Sequence, residues 1–275
     1  MKKLFIALII LLFSVSFVHA VTIASGSVTR ANSRLSLVDG TAFVDFSAAG
    51  TLTAYLGQKL TITDSANKKA TGYIKAAGTG ETLGSELVTN GGFDSDTTGW
   101  RPQSCTIDSV AGGQSGNCLQ ITVSETGQAA SYTGVTASVG GLYRASMYVK
   151  SGTSGNESYL LQLWFNEKNL YVVGTSSGVW VEAVLYAVST YTTPNVQPYK
   201  YGTTIGTMLF DTVSFKQVLT PSATGVTITS TPNGTTYNWT SIESGFNYND
   251  ASGYTYTIES VGGGGSLLLL LGVGK

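Results

Sequence analysis

Glu86-Leu-Val-Thr-Asn-Gly-Gly-Phe-Asp-Ser-Asp-Thr-Thr-Gly-Trp100 is the stretch that decides the fold of this chain. A second stretch, Met208-Leu-Phe-Asp-Thr-Val-Ser-Phe215, follows about 110 residues later. We call the two stretches the opening and closing motifs; together they mark a central unit at about residues 85–218, roughly half of the 275-residue chain. The sequence therefore divides into this central unit and the segments on either side of it.

Three segments of the central unit alternate between apolar and polar residues, which is the pattern of a β-strand with one buried face. They are residues 142–150, 158–167 and 179–189. In each segment one side is apolar, as with Leu161 and Leu163, and the other side carries aromatic, amide or charged groups. The candidate ligand-binding residues on these other sides are Tyr148, Gln162, Trp164, Asn166, Glu182 and Tyr186.

A surface that mixes tyrosine and tryptophan with amide and carboxylate groups suits a sugar ligand. Pyranose rings present apolar C–H patches that pack on aromatic planes, and their hydroxyl groups need hydrogen-bonding partners at the ring edge. Trp164 is the first candidate for such a contact, followed by Tyr148, Gln162 and Tyr186. A solvent-side aromatic can instead meet a loop or another domain, so a packing role stays open for each of the three aromatic residues.

The opening and closing motifs resemble the opening and closing strands of carbohydrate-binding modules of the family 4/9/22 type. The resemblance covers about residues 85–218 and implies a jelly-roll β-sandwich that binds glycans, although fold alone does not fix function. Such modules commonly hold a structural calcium ion near both motifs, and the matching positions here are Asp94 and Asp211. The family often has two adjacent acids at the second position, whereas Thr212 follows Asp211 here. Both a Ca²⁺ site and a pair of turn-capping aspartates therefore remain open.

The segments on either side also have the pattern of β-structure. Residues 21–80 contain short alternating runs separated by glycines and predict a small N-terminal β-domain, followed by a linker over residues 76–85. Residues 219–275 predict a short C-terminal β segment, with strands at 225–229, 235–239 and 254–258. The predicted fold class is all-β, with a central jelly roll between two smaller units.

Two features of the flanking segments bear on assembly. The stretch from Leu60 to Gly80 resembles the leading segment of phage structural proteins and of secreted environmental proteins. The chain ends in four glycines, at 262–265, and five leucines, at 267–271, which are too few to span a bilayer. Such a tail either adds a strand to its own core or pairs with a neighbouring subunit, so a homo-oligomer is one of two options.

The N-terminus has the features of a secretory signal over residues 1–20. Lys2 and Lys3 precede an apolar run, and small residues lead to a cleavage site after Ala20. This predicts a secreted or cell-surface location with no stable membrane insertion after cleavage; an uncleaved anchor is the alternative. In an oxidising compartment, Cys105 and Cys118 are predicted to form a disulfide that staples a hairpin.

Charge and histidine content exclude several functions. Because Lys2 and Lys3 leave with the signal, 13 basic side chains remain against 16 acidic ones, and nucleic acid is not an expected partner. The single histidine, His19, also lies in the signal, so the mature chain has no imidazole for catalysis or metal binding. No stretch indicates the paired carboxylates of a glycosidase or a phosphate-binding loop.

We therefore predict a secreted, non-catalytic protein that binds polysaccharide or cell-surface glycan through its central unit. The alternative is a structural subunit of an extracellular filament, a surface appendage or a phage-like fibre. The phage-like first segment and the leucine-rich tail favour that alternative, in which the central unit packs against neighbouring subunits. An adhesive fibre would combine the two roles.

Overall fold

A computed structural model describes residues 21–29, 33–38, 41–46, 52–77, 81–125, 127–165, 168–220 and 225–261. These ranges form nineteen β-strands and one short 3-10 helix, Leu52–Tyr55, so the all-β prediction is confirmed. The described part of the chain contains no helix with the length and apolar character needed to cross a membrane. The predicted signal and the tail at 262–275 lie outside the described residues, and both stay predictions.

The strands divide among three antiparallel sheets. In chain order they are β1 (Thr22–Val28), β2 (Arg34–Val38), β3 (Thr41–Asp45), β4 (Lys59–Thr63), β5 (Lys69–Ala77), β6 (Thr82–Glu86), β7 (Arg101–Gln103), β8 (Thr106–Ala111), β9 (Asn117–Val123), β10 (Ala129–Gly134), β11 (Leu142–Ser151), β12 (Ser158–Phe165), β13 (Lys168–Thr175), β14 (Val181–Val188), β15 (Asn195–Lys200), β16 (Gly206–Thr220), β17 (Gly225–Thr229), β18 (Ser241–Ile242) and β19 (Tyr254–Glu259).

The central unit is a sandwich of two of these sheets. The front sheet has five strands in the order β13, β12, β15, β10, β7. The back sheet has six strands: β14, β11, β16, β9 and β8 in order, with β6 paired to β16. Most neighbours in the two sheets come from distant parts of the chain, as β11 and β16 do, and the predicted jelly-roll sandwich is confirmed.

Alternating apolar residues pack the two sheets against each other. On β12, Leu161 and Leu163 are fully buried, and on β11, Ala145 and Met147 are fully buried as well. All four belong to one hydrophobic core between the sheets. Burial of each large apolar side chain stabilises the sandwich by about 1.5–3 kcal/mol. The face that the sequence predicted as apolar on these two strands is therefore the core face.

The opening motif is a loop that docks on the closing strand, and this corrects the expectation of an opening strand. Only Glu86 belongs to a strand, β6; residues 87–100 form turns and bends. The Val213 amide donates a hydrogen bond of 2.9 Å to the Gly91 carbonyl. A Cβ atom on Gly91 would lie 1.9 Å from the Val213 carbonyl oxygen, so only glycine fits there. The Trp100 indole donates to the Asn90 carbonyl at 3.0 Å and closes the loop.

The two flanking segments, which the sequence predicts as separate units, share one eight-stranded sheet. Its order is β1, β19, β4, β5, β17, β3, β2, with β18 paired to β5. Strand β17 lies between β5 and β3, so the C-terminal segment completes the N-terminal one. Both segments contribute to one core, in which Leu60, Ile74 and Ile228 are fully buried. Neither segment has enough strands of its own to cover such a core.

Two further boundaries differ from the sequence prediction. The expected linker over residues 76–85 is largely strand, because β5 extends to Ala77 and β6 begins at Thr82. Residues 235–239, predicted as a strand, form bends and irregular backbone instead. Trp239 is nevertheless buried in the core of the flanking sheet. The apolar residue that suggested a strand is thus a core residue in a loop.

The flanking sheet packs on the sandwich through a small apolar cluster. Phe43 of β3 is buried together with Leu142, Val188 and Val218 of the back sheet. Beside this cluster, the Arg34 guanidinium lies 3.7 Å from the centre of the Tyr186 ring. The sequence predicted Tyr186 on a ligand-binding face, but in the structure Arg34 of the flanking sheet covers its ring.

The predicted disulfide between Cys105 and Cys118 is wrong: both cysteines are free. Strand pairing places Cys118 opposite Val110, five residues beyond Cys105, which corresponds to about 16 Å along a strand. A disulfide needs Cα atoms about 4.4–6.8 Å apart. Cys118 is fully buried in the back sheet, while the Cys105 thiol donates to the Ala130 carbonyl of the front sheet at 3.3 Å.

Candidate functional site

The outer face of the front sheet forms an open groove of about 850 Å³. Its described lining consists of aromatic, amide and small apolar side chains, and none of them carries a charge. They are Pro102, Gln103, Gln128, Tyr132, Leu160, Gln162, Trp164, Asn169, Tyr171, Val173, Asn195, Gln197, Tyr199 and Tyr201. The groove has aromatic side chains from four different parts of the sequence, which the fold brings onto one surface.

Strand periodicity explains why these residues share a face. On β12, Leu161 and Leu163 point into the core, so Gln162 and Trp164 point outwards. On β15, Val196 is fully buried in the same core, which turns its neighbours Asn195 and Gln197 to the groove.

Register aligns the outward residues in three rows that run across the strands. The upper row contains Val173, Leu160, Tyr199, Ala130 and Gln103. The middle row contains Tyr171, Gln162 and Gln197. The lower row contains Asn169, Trp164, Asn195 and Gly134. Rows on one face of a strand are about 7 Å apart, so rings and amides are neighbours across the strands in the middle and lower rows, and along the strands on β12, β13 and β15.

The rings and amides of the groove are available to a ligand. Tyr171 and Tyr201 are 49% and 43% exposed, and Trp164 is half-buried. The Tyr199 hydroxyl donates to Gln128 at 3.4 Å, and burial raises the pKa of this tyrosine, which keeps it a neutral hydrogen-bonding group. The groove can therefore hold a flat, hydroxyl-bearing molecule by stacking and hydrogen bonding.

A buried ion pair fixes the loop at one end of the groove. Lys200 is fully buried, and its ammonium group donates to Glu157 at 2.5 Å and to the Thr204 carbonyl at 2.6 Å. It also reaches the Gly202 carbonyl at 3.1 Å, and the Thr204 amide donates to Glu157 at 2.7 Å. Burial alone would raise the pKa of Glu157, but the hydrogen bonds from Lys200 and Thr204 hold it below its ordinary value. These contacts hold the loop that begins with the groove residue Tyr201.

The structure divides five of the six predicted ligand-binding residues between the two sheets. Gln162 and Trp164 line the groove. Tyr148 lies on β11, opposite Glu182 on β14, so both belong to the back sheet and not to the groove. Tyr186 lies on the same strand as Glu182 and also faces away from the groove. Asn166 falls outside the described residues.

The three back-sheet candidates have neighbours in the same chain. Glu182 accepts a hydrogen bond from Arg144 at 2.8 Å. Tyr186 lies under Arg34, and burial is the largest cause that raises its pKa to about 12. Tyr148 is half-buried on the outer side of the back sheet. Tyr186 is thus covered by Arg34, and Tyr148 has Glu182 opposite it on β14, but neither residue lines the groove.

Sequence reasoning missed most of the groove, because strands β10, β13 and β15 were not predicted. The missed residues are Tyr132, Tyr171, Asn195, Gln197, Tyr199 and Tyr201. On β15, the inward positions hold Pro198 and Lys200, which hide the apolar side of the alternation. On β13, the exposed Tyr171 and Val173 make the outward side apolar. Asn195, Gln197 and Tyr199 do alternate at a spacing of two, and that signal could have indicated the strand.

The two predicted metal ligands meet one turn, between β8 and β9. Asp211 is fully buried and accepts hydrogen bonds from the amides of Gln114, Ser115 and Thr212, at 2.7, 3.1 and 2.6 Å. Asp94 is exposed, and a Cβ atom on Gly116 in the same turn would collide with its carboxylate. Glycine is thus required beside it.

Carboxylate oxygens at a backbone turn are the kind of ligand that Ca²⁺ takes, so these residues fit the ion in donor type. Burial raises the pKa of Asp211 in spite of its three amide donors, which shows that its negative charge is costly to desolvate there. The described part of the chain contains no group of three or more acidic, histidine or cysteine residues placed to hold a metal ion, so further ligands would be backbone or side-chain amide oxygens, hydroxyl groups or water.

Comparison with protein-family models and with curated proteins finds no match. Solved structures match about half of the chain. A family 61 carbohydrate-binding module in complex with β-1,4-galactotriose is 13% identical, with a TM-score of 0.43, over 49% of this chain and 99% of that one. The CBM22-1 xylan-binding domain of Paenibacillus barcinonensis Xyn10C is 18% identical, with a TM-score of 0.41, over 52% and 98%. A family 4 module is 14% identical, with a TM-score of 0.39, over 47% and 99%. The matched structures thus include families 4 and 22, which the two sequence motifs resemble.

Proposed function

We propose that this protein binds a polysaccharide chain in the groove of its front sheet. The observation that supports this most is the alignment of rings and amides in two rows, in which Gln162 lies between Tyr171 and Gln197, and Trp164 lies between Asn169 and Asn195. A sugar ring needs an apolar plane below it and hydrogen-bonding groups at its edge. Each row offers both within one strand spacing, about 4.8 Å.

The strength of such binding follows from the number of rings that stack. Each stacked aromatic contributes on the order of 1–3 kcal/mol through apolar burial. Two stacked rings with several hydrogen bonds correspond to micromolar to millimolar dissociation constants. The open shape of the groove agrees with a chain that lies across the strands and has contacts with several sugar units.

We further propose that the protein is secreted and that the groove does not catalyse a reaction. Hydrolysis of a glycosidic bond requires two carboxyl groups on either side of the bond. The described lining of the groove contains amide, aromatic and aliphatic side chains and no carboxyl group. An extracellular location would bring the groove to polysaccharides outside the cell, and the N-terminal signal supports it.

A glycan array tested with the full chain measures the proposed function directly. Trp164→Ala should weaken binding to any positive glycan by at least about tenfold, because it removes a stacking plane. Tyr148→Ala is the matched control: it also removes a half-buried aromatic residue, but from the back sheet, and it should leave binding unchanged. Equal losses in both variants, or binding that survives Trp164→Ala, would show that the groove is not the binding site.

A role as a structural subunit is the second candidate, and one observation favours it. Within the described residues, β1 is an outer strand of the flanking sheet. Val21, just before this strand, and Ile23, within it, are 59% and 45% exposed. Exposed outer strands can pair with another chain. The molecular mass in solution of the full chain and of its Ile23→Lys variant tests this role. An oligomer that Ile23→Lys dissociates would support a structural subunit, and a monomer in both cases would exclude it.

We also propose that Asp94 and Asp211 hold a structural Ca²⁺ beside the turn between β8 and β9. The ion would neutralise the buried Asp211 carboxylate and tie the opening and closing motifs to this turn. It would contribute to stability and would not contact the groove.

A further inference from the structure

Arg101 lies at the edge of the front sheet, at one end of the neutral groove. It is the first residue of β7 and is paired with Tyr132 of β10. Beside it is a smaller cavity of about 360 Å³, lined by Gly99, Arg101, Tyr132, Thr133, Gly134 and Asn195. Tyr132 and Asn195 line the groove as well, so the smaller cavity is a continuation of it.

The charge of Arg101 is not neutralised within the part of the chain that the structure describes. The other two described arginines are in ion pairs, Arg34 with Asp45 at 3.0 Å and Arg144 with Glu182 at 2.8 Å. Among the described residues, no carboxylate lies within ion-pair distance of Arg101, which is exposed. Its guanidinium group is therefore free to bind a ligand that enters the cavity.

The surroundings of Arg101 leave room for a substituent larger than a hydroxyl group. Gly99 has a φ of +89° and no atom within 4 Å of where its Cβ would be. Gly134 also lacks a side chain, and its nearest neighbour is the Asn195 amide oxygen, at 3.4 Å from a Cβ placed there. The two glycines line the cavity together with Arg101 and the Tyr132 ring, and they leave an open pocket with a planar cation on its wall.

We propose that this cavity is a subsite for an anionic substituent of the polysaccharide, a carboxylate or a sulfate ester. The inference rests on the proposed function of the groove. A guanidinium group presents a planar fork of N–H donors that matches carboxylate and sulfate oxygens, and it forms stronger hydrogen bonds with them than with neutral hydroxyls. The neutral rows of the groove would bind the sugar chain itself, and Arg101 would select chains that carry an acidic group at one position.

Matched pairs of polysaccharides test this subsite. The carboxylate arm compares glucuronoxylan, polygalacturonate and carboxymethyl cellulose with the carboxyl-reduced form of each. The sulfate arm compares a sulfated galactan with its desulfated form. Affinity electrophoresis of the full chain should show at least one acidic form bound about fivefold more tightly than its neutral partner, as expected for an exposed charge pair. The preference should shrink as salt is raised, because exposed charges are screened.

Variants at Arg101 separate this proposal from the function of the groove. Arg101→Gln should abolish the preference and leave binding of the neutral form unchanged, and Arg101→Lys should retain part of the preference. Lys75→Gln, which removes an exposed charge from the flanking sheet, is the control and should change neither. Equal binding of acidic and neutral forms by the native chain, or a preference that survives Arg101→Gln, would overturn the subsite alone. If neither form of any pair binds and the glycan array also shows no binding, both the subsite and the proposed glycan-binding function of the groove are wrong.

Discussion

Gln162 of β12 lies directly opposite Gln197 of β15, at the centre of the groove floor. Gln197 is only 8% exposed, yet neither amide is hydrogen bonded to another residue that the structure describes. Neither amide is among the buried polar groups of the described residues that lack a partner, so both remain open to water from the groove. Two such amides side by side on a groove floor are therefore a feature that a hydroxyl-bearing ligand can use, since its hydroxyl groups can replace water as hydrogen-bonding partners.

Removal of these amides should weaken glycan binding without loss of stability. We expect Gln162→Ala and Gln197→Ala each to reduce affinity about fivefold to tenfold, because each removes hydrogen bonds to the ligand. The double variant should lose less than the product of the two effects, since neighbouring amides bind the same sugar. Titration calorimetry measures the affinities.

Gln120→Ala is the matched control for the amide pair. Gln120 lies on β9 of the back sheet and donates to Thr122 at 3.3 Å. Its removal should leave affinity unchanged. A loss of affinity in the control similar to that of the groove variants would indicate a general effect on folding, and the midpoint of thermal unfolding of each variant would reveal it.

The buried pair of Lys200 and Glu157 should position the loop that begins with Tyr201. Lys200→Met leaves Glu157 and two loop carbonyls without their donor, and the loss of one partner of a buried ion pair costs about 3–5 kcal/mol. We expect a lower midpoint of chemical unfolding and weaker glycan binding. Lys200→Arg, which keeps the charge, should recover part of both.

The same pair predicts a dependence of stability on pH. Although burial works against it, hydrogen bonds from Lys200 and Thr204 lower the pKa of Glu157 below 4.5 in the folded chain. A carboxyl group whose pKa is lower in the folded than in the unfolded chain stabilises the fold at any pH above its unfolded pKa. This stabilisation is lost as the pH falls through the folded pKa. The native chain should therefore lose more stability than Glu157→Gln between about pH 5 and pH 3. Equal losses in the two proteins would contradict this role of the carboxylate.

The sequence predicted the fold better than the site, and the reason lies in what strand alternation encodes. Alternation tells which residues of one strand share a face, as Gln162 and Trp164 do, but not which sheet the strand joins. Tyr148 and Gln162 both lie on polar sides of predicted strands, yet their strands belong to opposite sheets. Sheet membership depends on long-range pairing, which no local pattern contains.

Buried polar residues hid the rest of the site. Lys200 occupies an inward position of β15 because it reaches Glu157 and two loop carbonyls, and this contact cannot be inferred from the neighbouring residues. The same applies to the flanking sheet, where β17 inserts between β5 and β3 from the far end of the sequence. The opening and closing motifs were recognisable because they contact themselves and each other: the Trp100 indole donates to Asn90 within the opening motif, and Gly91 packs against Val213 of the closing motif.

The two cysteines should behave as unreactive free thiols. Burial raises the pKa of Cys105 and, with a contribution from Asp211, raises that of Cys118 to about 11, so little reactive thiolate forms at neutral pH. We expect two thiols to react with a thiol reagent in denaturant, slow reaction in the native state, and no change in thermal midpoint on addition of a reducing agent. A fall in that midpoint would show that the cysteines form a disulfide in solution.

Calcium should stabilise the chain through Asp94 and Asp211. The test needs a variant that weakens Ca²⁺ binding without destabilising the chain by itself. Asp211→Asn is unsuitable, because its amide group would face the N–H donors of Gln114 and Ser115 and would destabilise the turn by itself. Asp94→Asn removes only an exposed carboxylate.

In the native chain, Ca²⁺ at about 100 times its dissociation constant should add about 2.7 kcal/mol to the free energy of unfolding, which corresponds to several degrees in the thermal midpoint. Chelation should reverse the gain. Asp94→Asn should need a higher Ca²⁺ concentration for the same gain, whereas Asp108→Asn, an exposed acid on β8, should respond like the native chain. A thermal midpoint that does not change between Ca²⁺ and chelator in the native chain would assign both aspartates to turn capping, since the amide contacts of Asp211 exist without the ion.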